Sequence, residues 1–267
     1  MPKNRGEPMS LTYSSYLELD QILTAQHPRS AGPEHDEMLF IIIHQVYELW
    51  FKQVLHETDY LSTLLHQNDQ TRILHTLRRI LTIFKTLVAQ IDILETMTPL
   101  EFLSFRDRLE SASGFQSYQF RELEFALGHK RRGVMAHYAD DPTAVARLEA
   151  RFAQPTLWDA FLAFLVANGH EVPAELQNRD VTEAVRPSPA LQQLLITIYR
   201  QEPRTLRVCE RLVDLDEGLQ EWRYRHIKMV ERTIGAKRGT GGSSGVAYLH
   251  TTLKPFFPDL WAIRAEL

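Results

Sequence analysis

Residues 37–65 read EMLFIIIHQVYELWFKQVLHETDYLSTLL. This run contains neither glycine nor proline, and its apolar residues recur at the 3.6-residue spacing of a helix. A second run of this kind covers residues 69–97, and its apolar positions are Leu74, Leu77, Leu81, Phe84 and Val88. No stretch of the chain alternates apolar and polar residues as a half-buried strand does. Two long consecutive helices therefore predict an all-α fold, a helical bundle.

A capping signal marks the start of the next helix. Thr98 is followed by Pro99 and by Glu101, which is the pattern of a capping box with proline at the first helical position. We expect this helix to run through Arg106 to about Leu109.

The rest of the chain divides into helical stretches and one interrupted segment. Helical spacing is expected at about 115–127, 190–201 and 203–234. Five prolines between positions 142 and 189 break the segment 129–190 into short pieces, which we interpret as a small helical subdomain inserted on the bundle. The whole chain, 1–267, reads as a single domain.

Composition argues against several classes of protein. The net charge of −4 and the pI near 6.3 leave no basic surplus to suit nucleic acid. The longest apolar run, residues 160–167, is too short to cross a bilayer, and the N-terminal MPKNRGEPMS lacks the apolar core of a secretory signal. The single cysteine, Cys209, excludes an intramolecular disulfide, a thiolate-held iron–sulfur cluster and covalent c-type haem attachment. We expect a cytoplasmic protein that binds neither nucleic acid nor membranes.

Two of the eleven histidines, His44 and His226, lie on apolar helical faces. The companions of His44 are Phe40, Tyr47 and Phe51; those of His226 are Leu219, Trp222, Met229, Val230 and Thr233. The chain has no H-E-x-x-H zinc motif, and no histidine follows a glutamate by three residues, as a di-iron site would need. Each of the two histidines is therefore either a core residue with a hydrogen-bond partner or a group that faces an apolar cofactor such as haem. Spacing alone does not show whether they face each other.

Arg106 is a further candidate, because it shares a helical face with Phe102 and Leu103. An arginine on an aromatic-lined face can hold a carboxylate through two parallel hydrogen bonds. The alternative is a salt bridge to one of the nearby acidic residues, which are Asp107, Glu110 and Glu122.

Residues 237–245 read KRGTGGSSG and hold four of the twelve glycines. The Walker A motif and the dinucleotide fingerprint each need a glycine that is absent here, and both follow a strand, so a phosphate cradle is not expected. Composition leaves two alternatives, an exposed connection or a mobile lid over a small-molecule site to which Thr240 supplies a hydroxyl.

A specific resemblance is carried by four blocks: LTYSSYLELDQIL, HDEMLFIIIHQVYELWFK, FRDRLESASGFQSYQFRELE and WRYRHIKMVERTIGAKRGTGGSSG. In this order, from about residue 11 to the C-terminal FFPDLWAIRAEL, they resemble the tryptophan 2,3-dioxygenase family. The resemblance implies a haem b enzyme that uses ferrous iron and O2 to open the indole ring of L-tryptophan. Both oxygen atoms then enter the product, N-formyl-L-kynurenine, in the first step of tryptophan catabolism by the kynurenine pathway.

The resemblance also implies roles for individual residues. His226 matches the histidine that ligates the haem iron. His44 matches the catalytic distal histidine, which accepts a hydrogen bond from the indole N–H. Arg106 matches the arginine that binds the substrate carboxylate, and Thr240 the threonine that contacts the polar end of the substrate near a haem propionate. The remaining matches are Phe40, Ile41, Ile42 and Ile43 in the indole slot, Phe102 beside the arginine (tyrosine in some relatives), and Ser113 and Gly114 in a turn close to the distal haem face.

The family further implies a homotetramer, a dimer of dimers, in which the N-terminal segment of about residues 1–35 reaches a neighbouring subunit. Tyr13, Tyr16 and Leu17 match residues that complete the neighbour's pocket, and their spacing places them on one helical face. The alternative is an amphipathic helix packed in its own subunit.

Two other functions stay open beside this resemblance. One is an enzyme like indoleamine 2,3-dioxygenase, with the same type of reaction and broader specificity. The other is a helical protein that binds haem without catalysis. Formation of product would exclude the non-catalytic protein, and the stereospecificity for tryptophan tests whether the enzyme is like indoleamine 2,3-dioxygenase.

Overall fold

The chain folds as a set of α-helices joined by short turns and 3₁₀ segments. The computed structural model describes residues 10–32, 34–110, 114–235, 237 and 245–267. The α-helices are α1 (Tyr13–Tyr16), α2 (Leu19–Leu23), α3 (His35–His66), α4 (Gln70–Leu94), α5 (Pro99–Arg106), α6 (Tyr118–Leu127), α7 (Pro142–Phe152), α8 (Leu157–Ala167), α9 (Ala174–Gln177), α10 (Pro189–Gln201), α11 (Pro203–Ile234), α12 (Val246–His250) and α13 (Pro258–Ala262). The 3₁₀ segments are Gly114–Gln116, Arg132–Tyr138 and Ile263–Glu266. No β-strand occurs among the described residues, so the all-α prediction is confirmed.

Three long helices, α3, α4 and α11, form the centre of the bundle. Helix α4 packs along both α3 and α11, and α8 covers another side of α3. The core side chains that these helices bury completely include Leu61, Leu64, Leu65, Ile73, Leu77, Phe84, Phe161 and Leu212. Burial of one such side chain stabilises the fold by roughly 1.5–3 kcal/mol. The packing therefore holds α3 and α11 at defined positions, from which each can present side chains to a shared site.

The helix ends follow the capping signals of the sequence. The carboxylate of Asp69 accepts a hydrogen bond from the Arg72 N–H at 3.0 Å and so caps α4. At the start of α5, the Thr98 N–H donates to Glu101 Oε2 at 2.7 Å, which is one half of the predicted capping box. The Ser117 hydroxyl caps α6, and this is why that helix begins at Tyr118 and not at about residue 115. The predicted helices at 37–65, 190–201 and 203–234 are confirmed as α3, α10 and α11.

Two helices end earlier than predicted. Helix α4 ends at Leu94 and not at Met97, because the N–H groups of Thr96 and Met97 bond to carbonyls three residues back instead of four, each at 3.2 Å. Helix α5 ends at Arg106 and not at about Leu109. There the Leu109 N–H bonds to the Arg106 carbonyl at 3.1 Å, three residues back instead of four, which tightens and closes the helix.

The segment 129–190 is divided between two hydrophobic cores. Its first part, the 3₁₀ segment Arg132–Tyr138 and α7, packs around Phe125 of α6 in a small core of its own. Helix α8 instead buries Trp158 and Phe161 in the main core against α3. The subdomain boundaries and the single-domain assignment stay predictions.

A buried carboxylate of α11 helps to hold the C-terminal segment. Asp216 Oδ2 accepts hydrogen bonds from the N–H groups of Phe256 and Phe257 at 2.8 and 3.0 Å and from Trp261 Nε1 at 3.0 Å. The Phe257 ring also stacks on Trp158, with centroids 5.4 Å apart. Helix α12, earlier in the same segment, packs beside α11. None of the helices described here is long and apolar enough to cross a bilayer.

Candidate functional site

A cavity of about 220 Å³ lies among α3, α5, α6, α11 and α12. Its walls are mostly apolar and aromatic. The residues that line it include Phe40, His44, Tyr47, Phe51, Phe102, Arg106, Gly114, Phe120, Trp222, His226, Met229, Thr233 and Tyr248. Both histidines that the sequence placed on apolar faces therefore belong to one cavity.

His44 lies on the α3 wall and is fixed by its own helix. Its Nδ1 is 2.7 Å from the Phe40 carbonyl, and its ring lies against the Phe40 ring with centroids 4.1 Å apart. Because a carbonyl only accepts, Nδ1 carries the proton and Nε2 is left as an acceptor. Burial lowers the pKa of His44, and the bond to Phe40 and the charge of Glu48 oppose this shift only partly. His44 is therefore a neutral acceptor near pH 7.

His226 lies on α11 at the same cavity. Trp222, one helical turn earlier, stacks on it with centroids 5.5 Å apart and planes 17° apart. Burial lowers the pKa of His226 to about 4, with smaller contributions from His44 and Arg121. The imidazole is thus neutral near pH 7, as a metal ligand must be.

The set of donor atoms distinguishes two kinds of metal site. A metal ion held by protein alone usually takes three or four side-chain ligands, whereas a haem iron needs one axial imidazole. Within the residues that the structure describes, no three His, Cys, Asp or Glu side chains come together as a metal-binding group. A neutral His226 in a mostly apolar cavity fits a haem better than a bare metal ion.

Arg106 and Phe102 reach the cavity from α5. The Phe102 ring lies 5.8 Å from the Phe40 ring between centroids, so aromatic side chains from two helices meet there. Of the acidic residues that were alternatives as partners of Arg106, Glu122 is paired with Arg147 at 3.0 Å. The last turn of α5 therefore places a guanidinium beside an aromatic wall.

The structure does not bring Ile41, Ile42 and Ile43 to the cavity wall. Ile43 is buried in the main core, and Ile42 is 42% exposed on the outer side of α3. Each residue of a helix turns about 100° from the one before, so Ile42 lies opposite the face shared by Phe40 and His44, while Ile41 and Ile43 flank that face without entering the lining. The isoleucine roles stay predictions, without a place in the lining described here.

The N-terminal residues also lie apart from the cavity of their own chain. Tyr13 and Tyr16 are 77% and 69% exposed on α1, and Leu17 is half-buried. Gly114 does line the cavity. Ser113 and Thr240 lie outside the described residues, as does most of the glycine-rich stretch 237–245, so the lid hypothesis and both residue roles stay predictions.

Sequence reasoning missed a group of charges, which we call the arginine cluster: Arg121, Arg131 and Arg223 around Glu124. Glu124, Arg121 and Arg223 are buried and line the cavity, whereas Arg131 is half-buried and lies beside the lining residues. Oxygens of Glu124 accept from Arg121 at 2.6 Å, from Arg131 at 2.8 Å and from Arg223 at 2.6 Å. Burial would raise the pKa of Glu124, but the three positive charges lower it to about 2. One signal could have revealed the cluster, since Arg223 lies one turn before His226 on the same helical face.

Comparison with known proteins agrees with the resemblance of the four sequence blocks. The profile of the family described as tryptophan 2,3-dioxygenase matches residues 1–148 and 134–267. The chain is 64% identical over 258 residues to the tryptophan 2,3-dioxygenase of Herpetosiphon aurantiacus, across 97% of this chain and 99% of the relative. It is 55% identical to that of Anaeromyxobacter dehalogenans, across 97% of each chain. It is 46% identical to that of Kineococcus radiotolerans, across 96% and 91%. The predicted resemblance is confirmed, and the chain belongs to the tryptophan 2,3-dioxygenase family.

Proposed function

We propose that this protein is a haem-dependent dioxygenase that opens the indole ring of L-tryptophan. Both atoms of O2 are inserted across the indole C2–C3 bond, and the product is N-formyl-L-kynurenine, which starts tryptophan catabolism by the kynurenine pathway. Family membership supports the reaction. The observation that carries the proposal is that His44 and His226, from α3 and α11, line one aromatic cavity as neutral imidazoles.

In this proposal His226 would hold the iron of haem b. A ferrous haem supplies the binding and activation of O2, and the protein supplies position and environment. Trp222 stacked on His226 restricts rotation of the imidazole. The aromatic lining excludes water from the place where the indole reacts.

His44 orients the substrate. Its Nδ1–H is committed to the Phe40 carbonyl, so Nε2 accepts the hydrogen bond from the indole N–H. An indole N–H is a very weak acid, and His44 therefore holds this proton in place without removing it. Phe40 and Phe102 provide apolar surface for the indole ring.

Arg106 binds the other end of the substrate. L-Tryptophan is a zwitterion, and its carboxylate needs a cation once it leaves water. The guanidinium at the end of α5 is the cation that the resemblance assigns to this task, and its place on the cavity wall supports the assignment. Thr240 would contact the polar end of the substrate, as the resemblance implies.

We also propose a homotetramer in which Tyr13, Tyr16 and Leu17 complete the site of a neighbouring subunit. The strong exposure of both tyrosines supports this, because large aromatic side chains on a short helix are stabilised when a partner covers them. A mixture of two variants that should both be impaired at low L-tryptophan, Arg106→Ala and Tyr16→Ala, tests the arrangement at that substrate concentration. Mixed tetramers contain some sites with both residues intact, so activity should reappear on subunit exchange. Absence of recovery in tetramers shown to be mixed would contradict it.

The central experiment measures product and haem together. The reduced protein is given O2 and L-tryptophan, and formation of N-formyl-L-kynurenine is followed beside the Soret band. His44→Ala should keep its haem and lose most turnover, whereas His226→Ala should lose haem or its five-coordinate spectrum. The matched control is His66→Ala, because His66 makes the same Nδ1 bond to a carbonyl of α3, at 2.7 Å, but is exposed.

Each contrary result points to one alternative. Absence of a Soret band in the wild type rejects every haem function. A Soret band without product favours a non-catalytic haem-binding protein. Turnover of D-tryptophan at a rate comparable to that of the L-isomer favours an enzyme like indoleamine 2,3-dioxygenase. Loss of all haem in His44→Ala means that the roles of the two histidines are exchanged.

A further inference from the structure

The arginine cluster concentrates positive charge where water is scarce. Three guanidinium groups share the carboxylate of Glu124, and Arg121 and Arg223 are only 5% and 3% exposed. The positive charge also affects a neighbour, because burial and then the charge of Arg223 lower the pKa of His129 to about 4. Buried charges of one sign are costly unless opposite charge is at hand.

The cluster also contains donors that the protein itself does not use. Within the described part of the chain, Nε of Arg223 and Nε of Arg131 are buried and have no hydrogen-bond acceptor. The two other nitrogens of Arg223 donate to Glu124 and to the Thr252 carbonyl. A guanidinium that is 3% exposed and has an unused N–H is a site prepared for a further acceptor.

The position of the cluster shows which ligand it would meet. Arg121, Glu124 and Arg223 line the same cavity as His226. Arg223 precedes His226 by three residues on α11, a distance of about 4.5 Å along the helix axis. A flat group held by His226 would share this cavity with the guanidinium groups of Arg121 and Arg223.

We propose that the arginine cluster is the binding site for the carboxylate groups on the edge of the haem. The inference rests on the proposed function, since it requires a haem at His226. Guanidinium groups match carboxylates in planar geometry and bond them through two parallel N–H donors. The carboxylate of the amino-acid substrate is assigned to Arg106, which belongs to another helix, so the two anions have separate cations.

The test compares haemin with haemin dimethyl ester, which has the same ring and iron but no charged carboxylates. The full chain is loaded with either pigment, and loss of pigment to excess apomyoglobin is followed at the Soret band. The wild type should release the diester about tenfold faster than haemin, or more. Arg223→Met should release haemin about tenfold faster than the wild type and leave release of the diester nearly unchanged, so that the two rates converge.

Arg225→Met is the matched control. Arg225 is on the same helix two residues later, but it pairs with Asp92 and Glu95 and does not line the cavity. Its substitution should leave the ratio of the two release rates unchanged. Arg223→Lys keeps a charge beside Glu124 without the planar fork, and it should give an intermediate ratio. If Arg223→Met does not fold, the ratio of the two release rates in Arg223→Lys and in the wild type still tests the proposal.

The contrary outcomes separate this inference from the function on which it rests. Equal release of both pigments by the wild type would overturn the carboxylate site and leave the haem function intact. Equal acceleration of both pigments in Arg223→Met would show that the cluster only supports the fold. A raised KM for L-tryptophan in Arg223→Met with unchanged haemin release would assign the cluster to the substrate instead. Failure of either pigment to give a Soret band would reject the proposed function itself.

Discussion

Replacing Glu124 by glutamine tests how strongly the arginine cluster depends on one negative charge. Glutamine has nearly the shape of glutamate but carries no charge. The pKa of Glu124 is about 2 in the fold against an ordinary value of 4.5. At about 1.4 kcal/mol for each tenfold change, this difference favours the charged form by about 3 kcal/mol. Glu124→Gln should therefore lower the free energy of unfolding by about 3 kcal/mol at pH 7.

The same difference predicts a pH dependence with a definite sign. The folded pKa lies below the unfolded one, so the stabilisation by Glu124 is complete above roughly pH 5.5 and is lost as the pH falls through 4.5 toward 2. Urea unfolding of the haem-free proteins measures the difference in free energy of unfolding between wild type and Glu124→Gln. This difference should be smaller by about 1 kcal/mol at pH 4 than at pH 7.

Glu122→Gln is the control for this experiment. Glu122 lies on the same helix and pairs with Arg147, whose side chain is 47% exposed. Glu122 is itself buried, but it pairs with one half-exposed arginine and not with three, so this variant should lose clearly less free energy of unfolding than Glu124→Gln. The reasoning is refuted if Glu124→Gln lowers the free energy of unfolding by less than about 1 kcal/mol at pH 7. It is also refuted if the difference from the wild type is the same at pH 7 and pH 4.

Three further substitutions test the site and the packing. Arg106→Ala should raise the KM for L-tryptophan by about tenfold or more, because a buried carboxylate loses its cation; steady-state kinetics that show an unchanged KM would reject the carboxylate assignment. Phe257→Ala should lower the free energy of unfolding by about 3–5 kcal/mol, because Phe257 is fully buried and stacks on Trp158; a loss below about 1 kcal/mol in urea unfolding would contradict the packing. Gly128→Ala should destabilise by at least about 1 kcal/mol, since φ is +115° and a Cβ would lie 2.7 Å from Val185 Cγ2; a thermal midpoint equal to the wild type would show that the backbone relaxes.

Local sequence signals were sufficient for most of the helices. The long runs at 37–65 and 203–234 became α3 and α11 because helical spacing and the absence of internal breakers act over a few residues. The capping box at Thr98 was correct for the same reason. The end of α4 was misjudged because the backbone tightens to three-residue hydrogen bonds at Thr96 and Met97 while the apolar pattern continues.

The candidate site was only partly accessible to the same reasoning. The helical faces of His44 and His226 could be read from spacing, and both lie at the cavity. The resemblance assigned Ile41–Ile43 to the indole slot together with Phe40, but of these four residues only Phe40 is part of the cavity lining, so the isoleucine roles stay predictions. Glu124, Arg121 and Arg223 were missed because charged residues in a helix are usually solvated, and only packing shows that these three are buried.

The linear sequence determined the helices and the family. Helical propensity, spacing and caps are local, and the four blocks that carry the resemblance are contiguous stretches of chain. The tertiary structure alone decided that His44 of α3 and His226 of α11 share one cavity, and that three arginines from two helices and a loop meet one glutamate beside it. These are contacts between distant parts of the chain, and they arise only when the burial of apolar faces packs the helices together.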